Sequence, residues 1–221
     1  MQEFFSTPIL TKEMTNFQEE KSHVIGWLMD DRNYITSGKK NGLLITDANL
    51  HKNPKFRTIT DFMRKNVWQM MFKMGYHPDF VITSRWATKQ EFGAYHHLHC
   101  HKNAFLGSAM YIHADSPTDG TTFVNPLASM WQMEPKYSAM VQPYVEPSVT
   151  MPFDEGTAHV FPGWLQHYTA PNRSNCRIVI AMNVMPVGKT NRDHYDRYEF
   201  PDKMELLEIE KEVFTSRYTD I

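Results

Sequence analysis

Between residues 80 and 184 the chain breaks into short segments rich in β-branched and aromatic residues, at 80–88, 94–101, 105–113, 121–124, 148–151, 157–161 and 177–184. Turn signals separate them: Asp115-Ser116-Pro117-Thr118-Asp119-Gly120, Asp154-Glu155-Gly156 and Pro171-Asn172-Arg173-Ser174-Asn175 gather residues that favour turns over ladders. Closely spaced short strands pack as a sandwich or a barrel, so the expected class is mainly β with flanking α-helices. The helices come first in the chain. Met14, Phe17, Val24, Ile25 and Leu28 recur at helical spacing across 12–29, and Ile59, Phe62, Met63, Val67, Met70, Met71 and Met74 across 56–74, each set marking one buried face. Fifteen methionines suggest a soft-metal site at first sight, but a methionine stripe at helical spacing is the pattern of adaptable core filling.

At 221 residues one substantial core accounts for the chain as a single domain: a helical support region over 1–76, the β core over 77–187 and a charged tail over 188–221 with a last helix at 204–211. Hydrophobic residues make up 41% and the net charge is −2, which fits a soluble globular protein with no general attraction to nucleic acid or to acidic membranes. No apolar run reaches the length of a membrane span, and Met1-Gln2-Glu3-Phe4-Phe5 lacks a basic region followed by an apolar core. The expected location is the cytoplasm, that of the host if the protein is viral. Cys100 and Cys176 are too few for a disulfide framework and are expected to be reduced. Residues 127–147, irregular and rich in Met, Tyr and Pro, read either as a lid over a site or as an ordered crossover that packs Met130, Trp131 and Tyr137 into the core.

The chemistry concentrates in histidine. Four of the eleven fall within Tyr95-His96-His97-Leu98-His99-Cys100-His101, and His167 closes the run Phe161-Pro162-Gly163-Trp164-Leu165-Gln166-His167. Imidazole is the commonest protein ligand for transition metals. On a strand alternate side chains share a face, so His97, His99 and His101 are expected to point the same way. If the segment around Asn172 is a hairpin, five residues to either side pair His167 with Arg177, their Cβ atoms roughly 5 Å apart. A guanidinium there offers a planar fork for the distal carboxylate of an anionic co-substrate. Strand parity puts Asn183 on the face of Arg177. Taken singly, a histidine before a turn is an ordinary core or surface group and a buried arginine an ordinary ion-pair partner; the combination argues for a metal site.

These residues also carry a resemblance. Gly93-Ala94-Tyr95-His96-His97-Leu98-His99-Cys100-His101-Lys102-Asn103, followed by Leu106-Gly107-Ser108-Ala109-Met110-Tyr111-Ile112, resembles the first metal-binding block of the 2-oxoglutarate and Fe(II)-dependent oxygenases found often in marine phages and bacteria. Phe161 to His167, then Pro171-Asn172-Arg173-Ser174 and Arg177-Ile178-Val179-Ile180-Ala181-Met182-Asn183, resembles the second block, and Phe5-Ser6-Thr7-Pro8-Ile9 with the helical region through Phe56 fits the layout. The resemblance covers nearly the whole chain. It implies a double-stranded β-helix, a cupin-like jelly roll whose open end holds iron. It assigns His99, His101 and His167 to the metal, with His97 the nearest competitor, and Arg177 and Tyr111 to the 2-oxoglutarate carboxylate; strand parity adds Asn183 as a co-substrate neighbour of Arg177. Trp131, Tyr137 and Trp164 are candidate pocket walls. Most of the superfamily holds Fe(II) with two histidines and a carboxylate, whereas His101 stands at the carboxylate's position, the His-x-His pattern of the phage-type branch. A halogenase reading is disfavoured, since that chemistry needs a small residue there to vacate a position for halide.

The implied activity is that of a dioxygenase. With Fe(II), 2-oxoglutarate and dioxygen, oxidative decarboxylation to succinate is coupled to hydroxylation of a protein or peptide side chain, such as proline, or of a small molecule. Two other readings stay open: a cupin-type three-histidine dioxygenase without 2-oxoglutarate, against which Arg177 speaks, and a non-catalytic structural or binding protein on the same fold.

Overall fold

Period-two alternation along four long or central strands decides the architecture. In β10 (Cys176–Pro186) Ile178, Ile180, Met182 and Val184 join one core while Arg177, Val179 and Ala181 face the other way into a pocket. The same division holds in β5 (Leu106–Ala114), with Leu106, Met110 and Ile112 set against Ala109 and Tyr111, and in β8 (Thr157–Pro162), with Ala158 and Val160 set against Phe161. In β3 (Phe80–Glu91), Ala87 lies on the core side and Trp86, Thr88 and Gln90 on the pocket side. A sheet apolar on both faces needs a layer on each.

The computed structural model, which describes residues 6–35, 42–77, 79–130, 145–190 and 198–200, supplies both layers. Completing the set are β1 (Leu10–Glu13), α1 (Phe17–Met29), β2 (Leu43–Ile45), α2 (Arg57–Lys73), β4 (His96–His99), β6 (Asp119–Val124), β7 (Ser148–Pro152), β9 (His167–Thr169), β11 (Gly188–Thr190) and β12 (Tyr198–Phe200). The major sheet runs β1-β8-β5-β10-β3-β2 and the minor sheet β4-β9-β6-β7, every named pairing antiparallel; β11 and β12 form a separate hairpin. Two facing antiparallel sheets make a double-stranded β-helix. Helix α2 covers the outer face of the major sheet with Ile59, Met63, Val67, Met70 and Met71, joined by Val24 and Leu28 of α1. Met63, Met70 and Met71 of α2 are buried core, as their helical spacing indicates, and Met14, Met110 and Met182 are buried with them.

Several expectations need correction. The helix expected from residue 12 starts at Phe17, because Leu10 to Glu13 extend and pair with β8, Leu10 opposite Val160 and Glu13 opposite Thr157. The strand expected over 94–101 shortens to the four residues of β4. No hairpin joins His167 to Arg177, since β9 lies in the minor sheet and β10 in the major one. Met130 is exposed rather than packed in the core. Most of the 127–147 segment, with Trp131 and Tyr137, and the helix expected at 204–211 lie outside the described residues. Cys100 and Cys176 are free thiols. Among the described residues no helix is long and apolar enough to cross a membrane.

Candidate metal centre

Between the sheets lies a pocket of about 550 Å³, part of it open to solvent, and three imidazoles converge in it. Ring nitrogens of His99, His101 and His167 all lie within 4.8 Å of one another. Strand pairing brings two of them together, for His99 and His167 are direct partners across β4 and β9. His101 follows β4, where its N–H donates to Gly163 O at 2.9 Å. Gly107 makes the space for that ring: a Cβ there would lie 2.8 Å from His101 Nδ1 and 2.8 Å from the Phe161 ring.

The orientation of the three rings follows from what their other nitrogens touch. His99 Nδ1 lies 2.7 Å from His97 O, His167 Nδ1 2.8 Å from Leu165 O, and His101 Nδ1 2.5 Å from Asn183 Oδ1. A carbonyl oxygen only accepts, so each Nδ1 carries the proton and donates it, and each Nε2 keeps its lone pair. Desolvation holds His101 down at about 4 and His167 at about 3, so both rings are neutral at pH 7. Three imidazoles of one tautomer, each turning an Nε2 lone pair towards the others, fit a divalent transition metal.

His97 does not share their face. The register of β4 slips between His96 and His99, three residues of β4 spanning two of β9, and this bulge resets the alternation. His96 and His99 line the pocket while His97 is exposed. His96, which simple parity hides, has its ring centroid 5.7 Å from that of His99.

Arg177 and His167 meet in the pocket without being ladder partners. His167 pairs with His99 and Phe123, and Arg177 with Gln90 and Ala114. The buried Asn172, expected at a hairpin tip, ties the connection to the end of β3. Its N–H donates to Ala94 O at 2.8 Å, and its Nδ2 to Gln90 O at 2.9 Å and Ser174 O at 2.8 Å. The chain passes there from one sheet to the other.

The buried Arg177 guanidinium donates from Nε to Gln90 Oε1 at 2.6 Å, from Nη1 to Asp119 O at 2.8 Å and from Nη2 to Ala170 O at 3.2 Å. Burial lowers it to about 10, which leaves it cationic at neutral pH. Among the described residues no carboxylate forms a salt bridge with it. The Tyr111 hydroxyl accepts from Thr121 N–H at 2.7 Å, so its own proton is available to donate. Desolvation raises the Tyr111 phenol and keeps that proton in place. Gly120 permits the approach, since a Cβ there would lie 2.6 Å from the Tyr111 oxygen.

Two of the remaining candidates move. Asn183, placed beside the co-substrate from parity, bonds His101 instead. Trp164, expected as a pocket wall, is 57% exposed in the turn after β8 and is not among the pocket's walls. Trp131 and Tyr137 lie outside the described residues. Sequence reasoning missed His96, Gln90 and Asp119 among the pocket residues. The alternation of β3 from Trp86 to Gln90 was a signal for the second.

Residues 84–183 match the family model described as "Putative 2OG-Fe(II) oxygenase", a span that holds His99, His101, Tyr111, His167 and Arg177. Among solved structures the chain is similar to the non-heme alpha ketoglutarate dependent epimerase SnoN from nogalamycin biosynthesis, with 14% identity, TM-score 0.59, and 91% of this chain and 82% of that one covered. It is similar to HygX from Streptomyces hygroscopicus, solved with nickel and 2-oxoglutarate bound, at 9% identity and TM-score 0.57 over 81% and 83% of the two chains. A Pseudomonas putida prolyl-4-hydroxylase gives 10% identity and TM-score 0.55 over 82% and 94%. At such identities the likeness is one of fold. Among curated protein sequences none matches the chain.

Proposed function

We propose, from the match of residues 84–183 to the 2OG-Fe(II) oxygenase family model, that the chain works as an oxygenase of that family, that His99, His101 and His167 hold Fe(II), that Arg177 and Tyr111 seat the distal carboxylate of 2-oxoglutarate, and that the enzyme hydroxylates a small molecule or a protein side chain. The observation that carries this reading is the common tautomer of the three histidines, each proton fixed on Nδ1 by a carbonyl oxygen. With Fe(II) and 2-oxoglutarate bound, the site supplies oxidative decarboxylation of the keto acid by dioxygen, coupled to hydroxylation of a C–H bond.

The chain's own residues supply binding, orientation and exclusion of water. His101 stands where a carboxylate is usual, so the protein adds no negative charge to the metal and the neutralising charge is left to the dianionic co-substrate. Arg177, cationic and without a carboxylate partner among the described residues, attracts that dianion, and the Tyr111 proton adds a second donor. The buried rings of Phe123 and Phe161, packed at 5.0 Å from each other beside His167, keep water from one side of the metal.

Fe(II)-loaded protein given 2-oxoglutarate in air should release succinate, detectable by NMR, and His101→Ala should remove that turnover together with most of the metal affinity. Metal-loaded protein that yields no succinate overturns the 2-oxoglutarate reading. The substrate is then sought by mass spectrometry of products, beginning with proline-containing peptides, because a prolyl-4-hydroxylase is among the similar folds.

A further inference from the structure

Gln90 and Arg177 are partners across β3 and β10, held side by side by the ladder. The contact between them uses one half of the Gln90 amide. Oε1 accepts from Arg177 Nε at 2.6 Å, and because a guanidinium N–H only donates, this bond fixes which end of the amide faces the arginine. Nε2 is thereby turned elsewhere. Gln90 is 1% exposed, its Nε2 is buried with no hydrogen-bond partner among the described residues, and the residue lines the pocket. A buried amide left without an acceptor is destabilising, and such groups are rare in a fold unless something outside the chain satisfies them.

The donors of Arg177 point the same way. Of five N–H groups, one goes to Gln90, one to Asp119 O and one to Ala170 O, and a further Nη1 hydrogen has Thr118 Oγ1 at 3.5 Å. The Nε edge of the guanidinium is closed by Gln90, so a carboxylate cannot take the bidentate fork that uses Nε. A carboxylate has about four lone-pair sites. Arg177 has a remaining Nη2 hydrogen and Tyr111 has one hydroxyl proton, which leaves room for another donor.

We propose that Gln90 is a co-substrate-binding residue whose Nε2–H donates to the distal carboxylate of the 2-oxo dicarboxylate seated against Arg177 and Tyr111. The inference rests on the 2-oxoglutarate reading above and specifies how that pocket reads its ligand: an amide, a guanidinium edge and a phenol in place of a guanidinium fork. Gln90 selects for the second carboxylate of the ligand and contributes nothing to a monocarboxylic 2-oxo acid.

Calorimetry on Zn(II)-loaded protein tests the selectivity. Gln90→Leu should weaken 2-oxoglutarate on the order of 10- to 100-fold, while 2-oxobutyrate, which lacks the distal carboxylate, should bind within about twofold of wild type. A residue that merely props Arg177 would give the same split, so a second readout follows the amide itself. In glutamine-15N-labelled Zn(II) protein the Gln90 NH2 signal, identified by its loss in Gln90→Leu or, should that variant not fold, in Gln90→Met, should shift on addition of 2-oxoglutarate. One of its protons should exchange more slowly with solvent, and 2-oxobutyrate should produce neither change. An NH2 pair whose exchange is unaltered by bound 2-oxoglutarate overturns the contact, and equal affinities of wild type and Gln90→Leu overturn it as well. Wild-type protein that binds no 2-oxoglutarate overturns the pocket reading and this inference with it, so the two failures are told apart.

Discussion

His96 and His97 are neighbours in the chain, and only the first lines the pocket, because a bulge in β4 shifts the alternation by one residue. Spacing therefore exposed the histidine cluster but not the facing of each member; that needed the register against β9. Asn183 shows the same limit. Parity puts it on the inner face of β10, yet its bond to a ring 82 residues earlier depends on how β10 and the segment after β4 are brought together. The sequence pointed to Arg177 as a candidate donor to a carboxylate, but it did not show the prior claims of Gln90, Asp119 and Ala170 on its donors. Asn183→Leu removes the acceptor that holds the proton on His101 Nδ1, so the ring loses its fixed tautomer. Affinity for Mn(II) or Ni(II), measured by calorimetry, should fall by roughly 10- to 100-fold. His97→Ala should leave it unchanged. A fall of similar size in His97→Ala would return that residue to the ligand set.

At the scale of elements, the strands with strong period-two patterns were legible to within a few residues, as for β5, β8 and β10. Shorter strands such as β2 and β9 have three residues each, too few to show a period, and exist because a neighbouring strand offers its free edge. The packing of α2 on the major sheet was readable from its apolar stripe, but its one charged intruder was not. Arg85 of β3 is fully buried beneath α2. Its Nη1 donates to Thr60 Oγ1 at 2.5 Å and its guanidinium lies 5.8 Å from the Phe56 ring, while Nε and Nη2 have no partners among the described residues. Desolvation lowers it to about 9. A buried charge with one hydrogen bond and no carboxylate is poorly compensated, so an apolar chain of similar length should serve better there. Thr60 keeps its bond to Phe56 O without the arginine. Arg85→Met should raise stability by about 1–2 kcal/mol, equivalent to a gain of a few degrees in Tm by calorimetry. A fall in Tm would show that the bond to Thr60 and the ring contact outweigh the lost hydration.

For the whole molecule, the density of turn-separated strands announced a two-layered β fold, but no local pattern states that residues 170–175 cross between sheets. That crossing, and not a hairpin, is what brings His167 and Arg177 into one pocket. Closing the sheets also buries imidazoles, and this sets how the protein responds to acid. His159 of β8 faces the interior with Tyr111, 5.2 Å away between ring centroids, and its Nδ1 meets the hydroxyl of Thr11 of β1, far off in sequence, at 2.9 Å. It is 1% exposed, and desolvation pulls it from 6.5 down to about 4. The unfolded chain binds a proton at this residue below about pH 6.5 and the folded chain only below about 4. Between those values the unfolded state holds more protons, so stability is fully present above pH 6.5 and declines as the pH falls towards 4, by up to about 3 kcal/mol from this residue. Urea midpoints of the chelator-treated protein should therefore drop across that window. His159→Gln, which cannot titrate, should show a shallower decline, and curves for wild type and variant that stay parallel from pH 7 to 4 would mean that His159 takes up its proton within the fold as readily as in the unfolded chain.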